Sequence, residues 1–476
     1  MDPTIRLCLD TIAEQKQAIV FCNSKRSAEK LSEDIAKHVA LTDRALSDQL
    51  LNVLSQSTTQ CQRLSKVAAH KVVFHHSGLA SGQRTLIEDE FRSGRIKIIC
   101  ATPTLAAGLS LPVFRVIIKS LKRFAGGWGM KWIPVLEYLQ MAGRAGRPEY
   151  EDYGEAIIIA KNEKERDEVY ERYICGQPED IYSKLAAQPI LRNHVLSLVS
   201  SGIIRSDKDA ETFFSNTFWA QQYDDMYELY RMVFSVVHEL RQWGFIKPVP
   251  DFAFGGTQSI EPTKLGTRVS QMYLDPLTAH RFIEAFKKME QPSALALLQM
   301  VSYSQEMYPG LRVKSGDRDL VEETIVLHTL SCEVDMYDAA YEEYCNSVKM
   351  ALCLQDWIEE VSEQDILGRY DCRPGELKVK RDIAEWLLKA SSEIAGILEY
   401  TDLRKQLYKL HKQVQYGVKE ECLNLLTIKG VGRVRARRLV DAGVKTVAEY
   451  RALSSDQVKQ IFRGDRLQRS QQTTLI

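Results

Sequence analysis

The chain has 476 residues, of which 45% are hydrophobic and 26% are charged, and its formal net charge at pH 7 is zero. Because domains cluster around roughly 150 residues, this length predicts three or four domains rather than a single core. No apolar segment approaches the roughly 20 residues that cross a bilayer, and Met1 is not followed by the basic and apolar regions of a secretory signal. These features exclude a membrane role and predict a cytoplasmic protein.

The charge is distributed unevenly along the chain. Residues 401–476 contain 16 Lys and Arg and 7 Asp and Glu, a net charge of 16 − 7 = +9, so residues 1–400 carry −9. A basic terminal region on an acidic body is typical of proteins that bind phosphates locally. The ten cysteines contain no C-x-x-C pair, and the closest two, Cys345 and Cys353, are eight positions apart. We therefore expect reduced thiols and no metal site.

Short β-branched segments alternate with amphipathic segments over the first 160 residues. This alternation predicts an α/β domain with a parallel sheet, and each segment is apolar enough for a strand that is buried on both faces. Ser24 can cap the first helix. The predicted strands are Ala18–Cys22, Ile96–Cys100, Val116–Lys119 and Ala156–Ala160, and the predicted helices are Ser24–Val39, Ser81–Phe91 and Val135–Ala142.

Helical periodicity replaces the strand pattern beyond residue 161, so the remainder of the chain is predicted to be mainly α. Residues Pro248–Pro262, with two glycines at their centre, predict a loop or hairpin between helices. Such a hairpin suits the wing of a winged-helix domain. The predicted helices are Arg192–Leu198, Met226–Trp243, Pro276–Met289, Leu320–Glu359 and Arg381–Tyr400.

The most specific motif is Q-M-A-G-R-A-G-R-P at residues 140–148. Two arginines three positions apart on one helix face, Arg144 and Arg147, present planar donor forks that can bind phosphate oxygens in a cleft. Gly143 keeps that face free of bulk. The alternative is a basic surface helix with structural glycines.

Three polar segments carry further signals, and the last of them directly follows the predicted strand Ile96–Cys100, at the end where ligands of open α/β sheets bind. They read F-C-N-S-K-R-S-A-E at 21–29, H-H-S-G-L-A at 75–80, and A-T-P-T-L-A-A-G-L-S-L-P at 101–112. Each alone would more often be a plain connection, with His75 and His76 as packed histidines. A metal site lacks further suitably spaced ligands.

The basic tail has its own pattern, in which Gly430-Val-Gly432 separates two predicted helices and arginines follow. This pattern predicts a helix-hairpin-helix, whose glycines expose backbone N–H groups at a helix N-terminus to a DNA phosphate without base readout. Arg433 and Arg435 add positive charge. A solvated basic helix start is the alternative.

In this order the segments resemble motifs IV, V and VI of the second RecA-like domain of superfamily 2 helicases. With the helical region and tail, the chain most resembles the archaeal Hjm-type DNA repair helicases, which are related to human HELQ and the polymerase theta helicase domain. The resemblance covers essentially all 476 residues, although only the first 160 carry highly specific motifs. It implies a second RecA-like domain at 1–162, a winged-helix domain at 163–268, a helical ratchet bundle at 269–403 and a helix-hairpin-helix DNA-binding domain at 404–476.

The resemblance also implies a function and site residues. It implies an ATP-driven, monomeric motor that moves 3′→5′ on single-stranded DNA and unwinds forked or 3′-tailed duplexes in replication-coupled repair. Such a motor would act near the nucleoid, with replication or repair proteins as possible partners. Nucleotide chemistry would involve Gln140, Arg144 and Arg147, with Gly108 and Gly143 nearby. Nucleic acid would contact Asn23, Ser24, His76, Ser77, Gly78, Thr102, Thr104, Gly430, Gly432, Arg433 and Arg435.

Two further expectations come from this family. Residues Ser120–Pro134 exceed a minimal connection, and the family has a strand-separating β-hairpin here, on which Phe124, Trp128 and Trp132 could stack a base; a plain loop is the alternative. Residues 381–388 resemble the family's ratchet helix, with Arg381 near the DNA and Trp386 stacked on a base. Val379 stands where relatives have arginine, which leaves the basic half of that contact open, and Trp386 is alternatively a core anchor.

No G-x-x-x-x-G-K-[ST] motif and no D-E-x-H or D-E-A-D box occurs in the sequence. Since those motifs hold ATP and Mg²⁺ in such motors, both ligands would need a first RecA-like domain that the sequence lacks. We therefore expect negligible ATP hydrolysis by this chain alone. An RNA helicase of the exosome or spliceosome type and a non-catalytic nucleic-acid-binding protein remain alternatives, and the short basic tail favours the DNA helicase.

Overall fold

The structure is a computed structural model that describes residues 1–54, 57–106, 111, 113–124, 129–146, 152–223, 225–250 and 258–462. The chain divides into two compact units. The first contains Met1–Ile181 and Glu363–Lys378, and the second contains Tyr182–Ser362 and Val379–Ile476. Over the described ranges, no helix has both the length and the apolar character needed to cross a membrane.

A five-stranded parallel sheet forms the centre of the first unit, with strand order β2-β3-β1-β4-β7. Residues of β1 to β4 are buried, as expected for a sheet covered on both faces. A separate antiparallel pair joins β5 and β6. The strands are β1 Ala18–Phe21, β2 Val72–His75, β3 Ile98–Ala101, β4 Arg115–Ile118, β5 Lys122–Phe124, β6 Met130–Trp132 and β7 Glu155–Ile158.

The helices of the first unit pack around this sheet and share its hydrophobic core. Capping side chains fix several of the helix starts; for example, Ser24 Oγ accepts a hydrogen bond from the Ser27 backbone N–H at 3.1 Å. The helices are α1 Pro3–Ala13, α2 Lys25–Ala36, α3 Arg44–Leu51, α4 Thr59–Ala68, α5 Ser81–Arg92, α6 Val135–Ala142 and α7 Glu163–Val169. The later residues of this unit form a helix at Glu363–Tyr370 and the start of a long helix at Pro374–Ile397.

The second unit is mainly helical. Its hairpin pairs β8 with β9, so the predicted hairpin between Pro248 and Pro262 is confirmed, although its tip lies outside the described residues. The elements are α8 Gln188–Ser200, α9 Asp207–Ser215, α10 Phe218–Gln222, α11 Met226–Gln242, β8 Ile246–Pro250, β9 Gln258–Pro262, α12 Lys264–Gln271, α13 Pro276–Lys288, α14 Ala294–Ser302, α15 Arg318–Leu327, α16 Tyr341–Ile358, α17 Glu363–Tyr370, α18 Pro374–Ile397, α19 Thr401–Tyr416, α20 Arg433–Asp441 and α21 Val447–Ala452, of which α17 and the first turn of α18 belong to the first unit.

The single helix predicted over Leu320–Glu359 is wrong, since α15 and α16 are separate. Between them, the side chains of Asp335 and Asp338 each accept a hydrogen bond at 2.8 Å from a backbone N–H two residues later. Such bonds stabilise turns in competition with a helix. The predicted class, an α/β domain followed by mainly α structure, is confirmed.

Candidate nucleotide and nucleic-acid interface

The predicted nucleic-acid segments follow three adjacent parallel strands at one edge of the sheet. Phe21 pairs in register with Ala101, and Ala101 pairs with His75, so β1, β3 and β2 end level with one another. The loops after these strands begin side by side, since the Thr102 N–H donates to the His75 carbonyl at 3.2 Å. The structure therefore brings together four exposed residues that were predicted to contact nucleic acid: Asn23, Ser24, Ser77 and Thr104.

His76 differs from its prediction. Its side chain is fully buried, so the imidazole does not face a ligand in this structure. The Gly78 N–H donates to Nδ1 at 3.1 Å, and Nε2 lies 3.1 Å from a carboxylate oxygen of Glu29. Burial lowers the pKa of His76 despite that carboxylate, which agrees with a neutral ring that accepts at Nδ1. His76 shapes the loop that presents Ser77, and Gly78 is also buried.

An ion network lies beneath this loop. Glu29 is paired with Arg63 at 2.5 Å and with Arg373 at 3.4 Å. Burial alone would raise the pKa of Glu29, but the hydrogen bond to His76 and the two guanidinium groups outweigh it and lower the pKa to about 2. The carboxylate is therefore charged at neutral pH. Sequence reasoning missed Arg373, because nothing near position 373 indicates a contact with a residue more than 340 positions away.

The segment that carries Arg373 also touches the loop through its backbone. The Gly375 N–H donates to the Gly78 carbonyl at 3.1 Å. A Cβ at position 375 would lie 2.3 Å from the Leu79 carbonyl oxygen and 2.4 Å from that of Ser77, so only glycine fits without moving the loop. The start of α18 thus fixes the loop that holds Ser77.

Backbone hydrogen bonds join motif VI to Val113, the residue that follows motif V. The Val113 N–H donates to the Arg144 carbonyl at 3.0 Å, and the Gly146 N–H donates to the Val113 carbonyl at 2.7 Å. In motif V, the hydroxyl groups of Thr102 and Thr104 are hydrogen-bonded at 2.9 Å, with Thr102 buried and Thr104 exposed. Residues 107–110, with Gly108, lie outside the described residues.

The prediction of two arginines on one helix face is wrong, because α6 ends at Ala142 and Arg144 lies in the turn that follows. Gly146 has a φ of +96°, a left-handed conformation that turns the chain away from the helix axis. Gln140 and Gly143 are exposed at the end of α6. Arg147 lies outside the described residues.

One nitrogen of the Arg144 guanidinium forms a hydrogen bond to motif V, and another is buried without a hydrogen bond to a described residue. Nη2 donates to the Ala106 carbonyl of motif V, while Nε is buried without a hydrogen-bond partner in the described part of the chain. A buried guanidinium N–H without an acceptor suits a phosphate oxygen. The guanidinium thus retains an N–H that could bind an anion. No group of three carboxylate, histidine or cysteine residues that could hold a metal ion occurs among the described residues.

The predicted hairpin between the two motifs is present. Phe124 pairs with Met130 across β5 and β6, and both side chains are exposed, by 67% and 54%. Trp132 instead packs against Tyr173, with Lys122 Nζ 3.9 Å above its ring centre, so it is not an open stacking surface. Trp128 lies outside the described residues. Among the described aromatic side chains of this hairpin, Phe124 is the exposed one.

The ratchet residues of α18 have intramolecular contacts. Trp386 is half-buried, and its indole Nε1 donates to the Met272 carbonyl at 3.2 Å. The Arg381 guanidinium lies 4.1 Å from the ring centre of Trp357, which places it against that indole instead of an open surface. Val379, at the position of the family's arginine, is 52% exposed. The assignment of Arg381 to the basic half of the ratchet contact stays a prediction.

In the tail, Gly430 has a φ of +83°, and Gly432 begins α20 without a side-chain cap among the described residues. Both glycines are exposed, as a phosphate contact at the helix N-terminus would require. Arg435 Nη1 donates to the Gly430 carbonyl at 2.7 Å. Arg433 instead lies over the Trp357 ring at 4.2 Å and donates to the Val361 carbonyl at 2.9 Å.

Comparison with known domain families matches three successive parts of the chain. The helicase conserved C-terminal domain matches residues 3–149, a helix-turn-helix domain matches residues 154–247, and the archaeal helicase domain 4 matches residues 295–417. Most of the first unit is therefore similar to the helicase conserved C-terminal domain, and part of the helical region that follows it is similar to archaeal helicase domain 4.

Whole-chain comparison identifies the group. The chain is 37% identical over 458 residues to the ATP-dependent DNA helicase Hel308 of Pyrobaculum calidifontis, which covers 94% of the chain and 62% of the relative. The Hel308 helicases of Methanococcus vannielii and Methanocella arvoryzae are 35% and 36% identical, over 92% and 93% of the chain and 63% and 60% of the relatives. The chain is thus a homologue of the Hel308-type archaeal superfamily 2 helicases and spans about three fifths of their length.

Proposed function

We propose that the chain is the part of an ATP-dependent DNA helicase that follows its P-loop domain, and that the complete protein moves 3′→5′ on single-stranded DNA. On forked or 3′-tailed duplexes it separates the strands in replication-coupled repair. The names of its relatives support a DNA substrate, while the polarity and the fork preference rest on the resemblance of motifs. Without the P-loop domain, the chain itself hydrolyses ATP negligibly.

One observation carries this proposal. The Arg144 side chain donates to the Ala106 carbonyl of motif V, and the Arg144 backbone carbonyl accepts from Val113, the residue after that motif. Thr104 of the same motif is exposed at the sheet edge near Ser77. A change in the position of the arginine on binding phosphate can therefore move the loop that contacts the nucleic-acid backbone. Such a connection is what a motor needs in order to convert nucleotide binding into a step.

The remaining residues have roles in the same proposal. Exposed polar side chains, Asn23 and Ser24 among them, bind the DNA backbone, which carries no sequence information and so suits a motor. Phe124 on the hairpin stacks on the first unpaired base. Trp386 contacts the separated strand, and Gly430 and Gly432 bind a phosphate beyond it. When ATP and Mg²⁺ are bound, they supply the energy of phosphoryl transfer, and this chain contributes Arg144 and Arg147 as donors to the phosphate.

The test is Arg147→Ala in the complete protein, with a P-loop domain N-terminal to this chain. Since an arginine at the γ-phosphate contributes roughly 10³-fold or more to hydrolysis, we expect a loss of about 10³-fold in DNA-stimulated ATPase and no detectable unwinding. Unwinding is measured on 3′-tailed DNA and RNA duplexes of the same sequence.

Arg92→Ala is the matched control, because Arg92 is an exposed arginine of α5 that pairs with Asp89. It should unwind the DNA duplex like the unmodified protein. Retained unwinding by Arg147→Ala would remove the motor role of that arginine. Faster unwinding of RNA than DNA would favour an RNA helicase, and no ATP hydrolysis by the complete protein would favour a non-catalytic binding protein.

A further inference from the structure

The second unit contains a groove that none of the predicted site residues occupies. Its volume is about 990 Å³, at the upper end of the roughly 300–1,000 Å³ of ordinary ligand pockets. Three helices form its walls: α12, the C-terminal half of α18, and the first two turns of α19. We call this the α12–α19 groove, and it is lined by Lys264, Thr267, Arg268, Gln271, Lys389, Ser392, Glu393, Gly396, Ile397, Thr401, Arg404, Lys405 and Tyr408.

The groove is strongly basic. Five of its lining residues are Lys or Arg and one is Glu, so the lining carries 5 − 1 = +4. Glu393 is already paired with Arg268. The cations Lys264, Lys389 and Arg404 are all exposed, and none of them has a carboxylate partner within the described ranges. Three unpaired cations on three different walls can all reach one anionic chain in the groove.

The groove begins beside Trp386. Positions 386, 389 and 393 follow one another at spacings of three and four, so the tryptophan, Lys389 and Glu393 share one face of α18. The Trp386 indole also donates to the carbonyl of Met272, the residue at the end of α12. A strand that touches this tryptophan therefore lies within about one helical turn of the groove.

The walls of the groove are fixed rather than loosely arranged. Ser392 is buried on α18, and its hydroxyl donates to the Arg404 carbonyl on α19 at 3.2 Å. Gly396 leaves room for the side chain above it, because a Cβ there would lie 3.1 Å from Arg404. Tyr408, which is 55% exposed, gives the groove one aromatic side chain. Cations beside an aromatic ring are the usual components of a surface that binds single-stranded nucleic acid.

We propose that the α12–α19 groove binds the phosphate backbone of single-stranded DNA beyond Trp386, with Lys264, Lys389 and Arg404 on the phosphates and Tyr408 against a base. This inference rests on the proposed DNA helicase function and adds a binding site to it. A single strand fits because its flexible backbone can follow a concave groove with cations on three walls, which a stiff duplex cannot.

The test is equilibrium binding of this chain to fluorescein-labelled 3′-tailed DNA duplexes, with short and long tails, across a range of salt concentrations. The variant is Lys264→Ala/Lys389→Ala/Arg404→Ala. The matched control, Lys208→Ala/Arg231→Ala/Lys287→Ala, removes three exposed cations of the same unit that lie outside the groove. Because each phosphate contact on a single strand contributes about 0.7 to the slope of log K against log salt, the groove variant should lower that slope by about 2.

The loss should depend on tail length. Long tails reach the groove and short ones do not, so the advantage of long over short tails should disappear in the groove variant and persist in the control. Tyr408→Ala, which changes no charge, should weaken binding of the long tail about tenfold and leave the salt slope unchanged. Circular dichroism melting verifies the fold, and the single variant Lys389→Glu, at an exposed position, serves if the triple variant does not fold.

Three results would overturn the proposal. If the groove variant binds long tails like the unmodified chain, the groove does not bind DNA. If the control variant loses as much affinity for long tails as the groove variant does, the effect comes from the total charge of the chain. If the groove variant loses affinity for short and long tails equally, the three cations bind DNA at a place other than the groove. Failure of the unmodified chain to bind any tailed DNA would instead contradict the proposed function itself, so the two failures are distinguishable.

Discussion

The second unit contains two arginine- and lysine-rich surfaces, and they use their charge differently. In the α12–α19 groove, three of the five cations have no carboxylate partner within the described part of the chain. In the tail, the arginines of α20 have partners inside the protein. Arg437 forms two hydrogen bonds to Glu360, at 2.6 and 2.9 Å, and Arg438 donates to the Phe462 carbonyl at 3.1 Å.

One residue, Trp357, is contacted both by an arginine of the tail and by an arginine of α18. Arg381 of α18 and Arg433 of α20 lie 4.1 and 4.2 Å from the ring centre of Trp357. Both guanidinium groups therefore lie against this one indole. The high density of arginine in the tail sequence therefore reflects in part how α20 is attached, and the partners of a cation indicate phosphate binding better than the number of cations does.

The largest expected effect is that of Trp357→Ala. The indole is 4% exposed and its Nε1 donates to the Val414 carbonyl at 2.9 Å, so the substitution removes two cation–π contacts, a hydrogen bond and a large buried side chain. We expect it to lower the free energy of unfolding of this region by about 3–5 kcal/mol, measured by hydrogen exchange of the backbone from 401 to 462. Trp357→Phe should retain part of the stability. A loss below about 1 kcal/mol would contradict the attachment by stacking.

Arg437→Ala should have a smaller effect on stability and almost none on DNA binding. The side chains of Arg437 and Glu360 are 25% and 12% exposed, so the pair lies between a buried and a surface ion pair, and its loss should cost about 2 kcal/mol. The salt slope of DNA binding should not change, in contrast to that of Lys389→Ala, which should lower the slope by about 0.7 and leave stability unchanged. A lower slope for Arg437→Ala would show that the tail arginine also binds phosphate, and the contrast between the two surfaces would fail.

Much of the α/β unit could be predicted from sequence, because its strands are apolar on both faces and its motifs follow them directly. Strand β2, Val72–His75, was not predicted, because its apolar run of three residues is too short to be told from a loop or helix segment by periodicity. Helices α1, α3 and α4 were also not predicted. Motif letters located the sheet edge, but they could not reveal that His76 is buried, because burial depends on Glu29 and on the α17–α18 segment.

The groove illustrates why the rest was not predictable. One of its walls, α12, is more than 100 positions away from the other two in sequence, and each cation alone is typical of a solvated helix face. The excess charge of residues 401–476 was visible, yet it directed attention to the arginines of α20 rather than to Arg404. Tertiary contacts decide which cations are paired, and no local sequence pattern predicts those contacts. The assignments of Gly430, Gly432 and Arg435 to DNA stay predictions.

The smallest expected effect concerns the charge of Lys389, and it tests whether solvent or a neighbouring carboxylate screens that charge. His411 is buried, and burial lowers its pKa to about 4, with Lys412 and Lys389 adding to the decrease. Lys389→Ala should therefore raise the pKa of His411 by a few tenths of a unit, measured by NMR titration, with Lys405→Ala as a control.

Because the folded pKa of His411 lies below the roughly 6.5 of an unfolded histidine, this histidine favours folding above pH 6.5, and that stability is lost as the pH falls towards 4. Lys389→Ala should make the acid loss slightly smaller. An unchanged pKa would mean that solvent or Glu385, whose carboxylate lies 3.5 Å from His411 Nε2, already screens the lysine, and the groove would then offer DNA a weaker charge than its unpaired cations indicate.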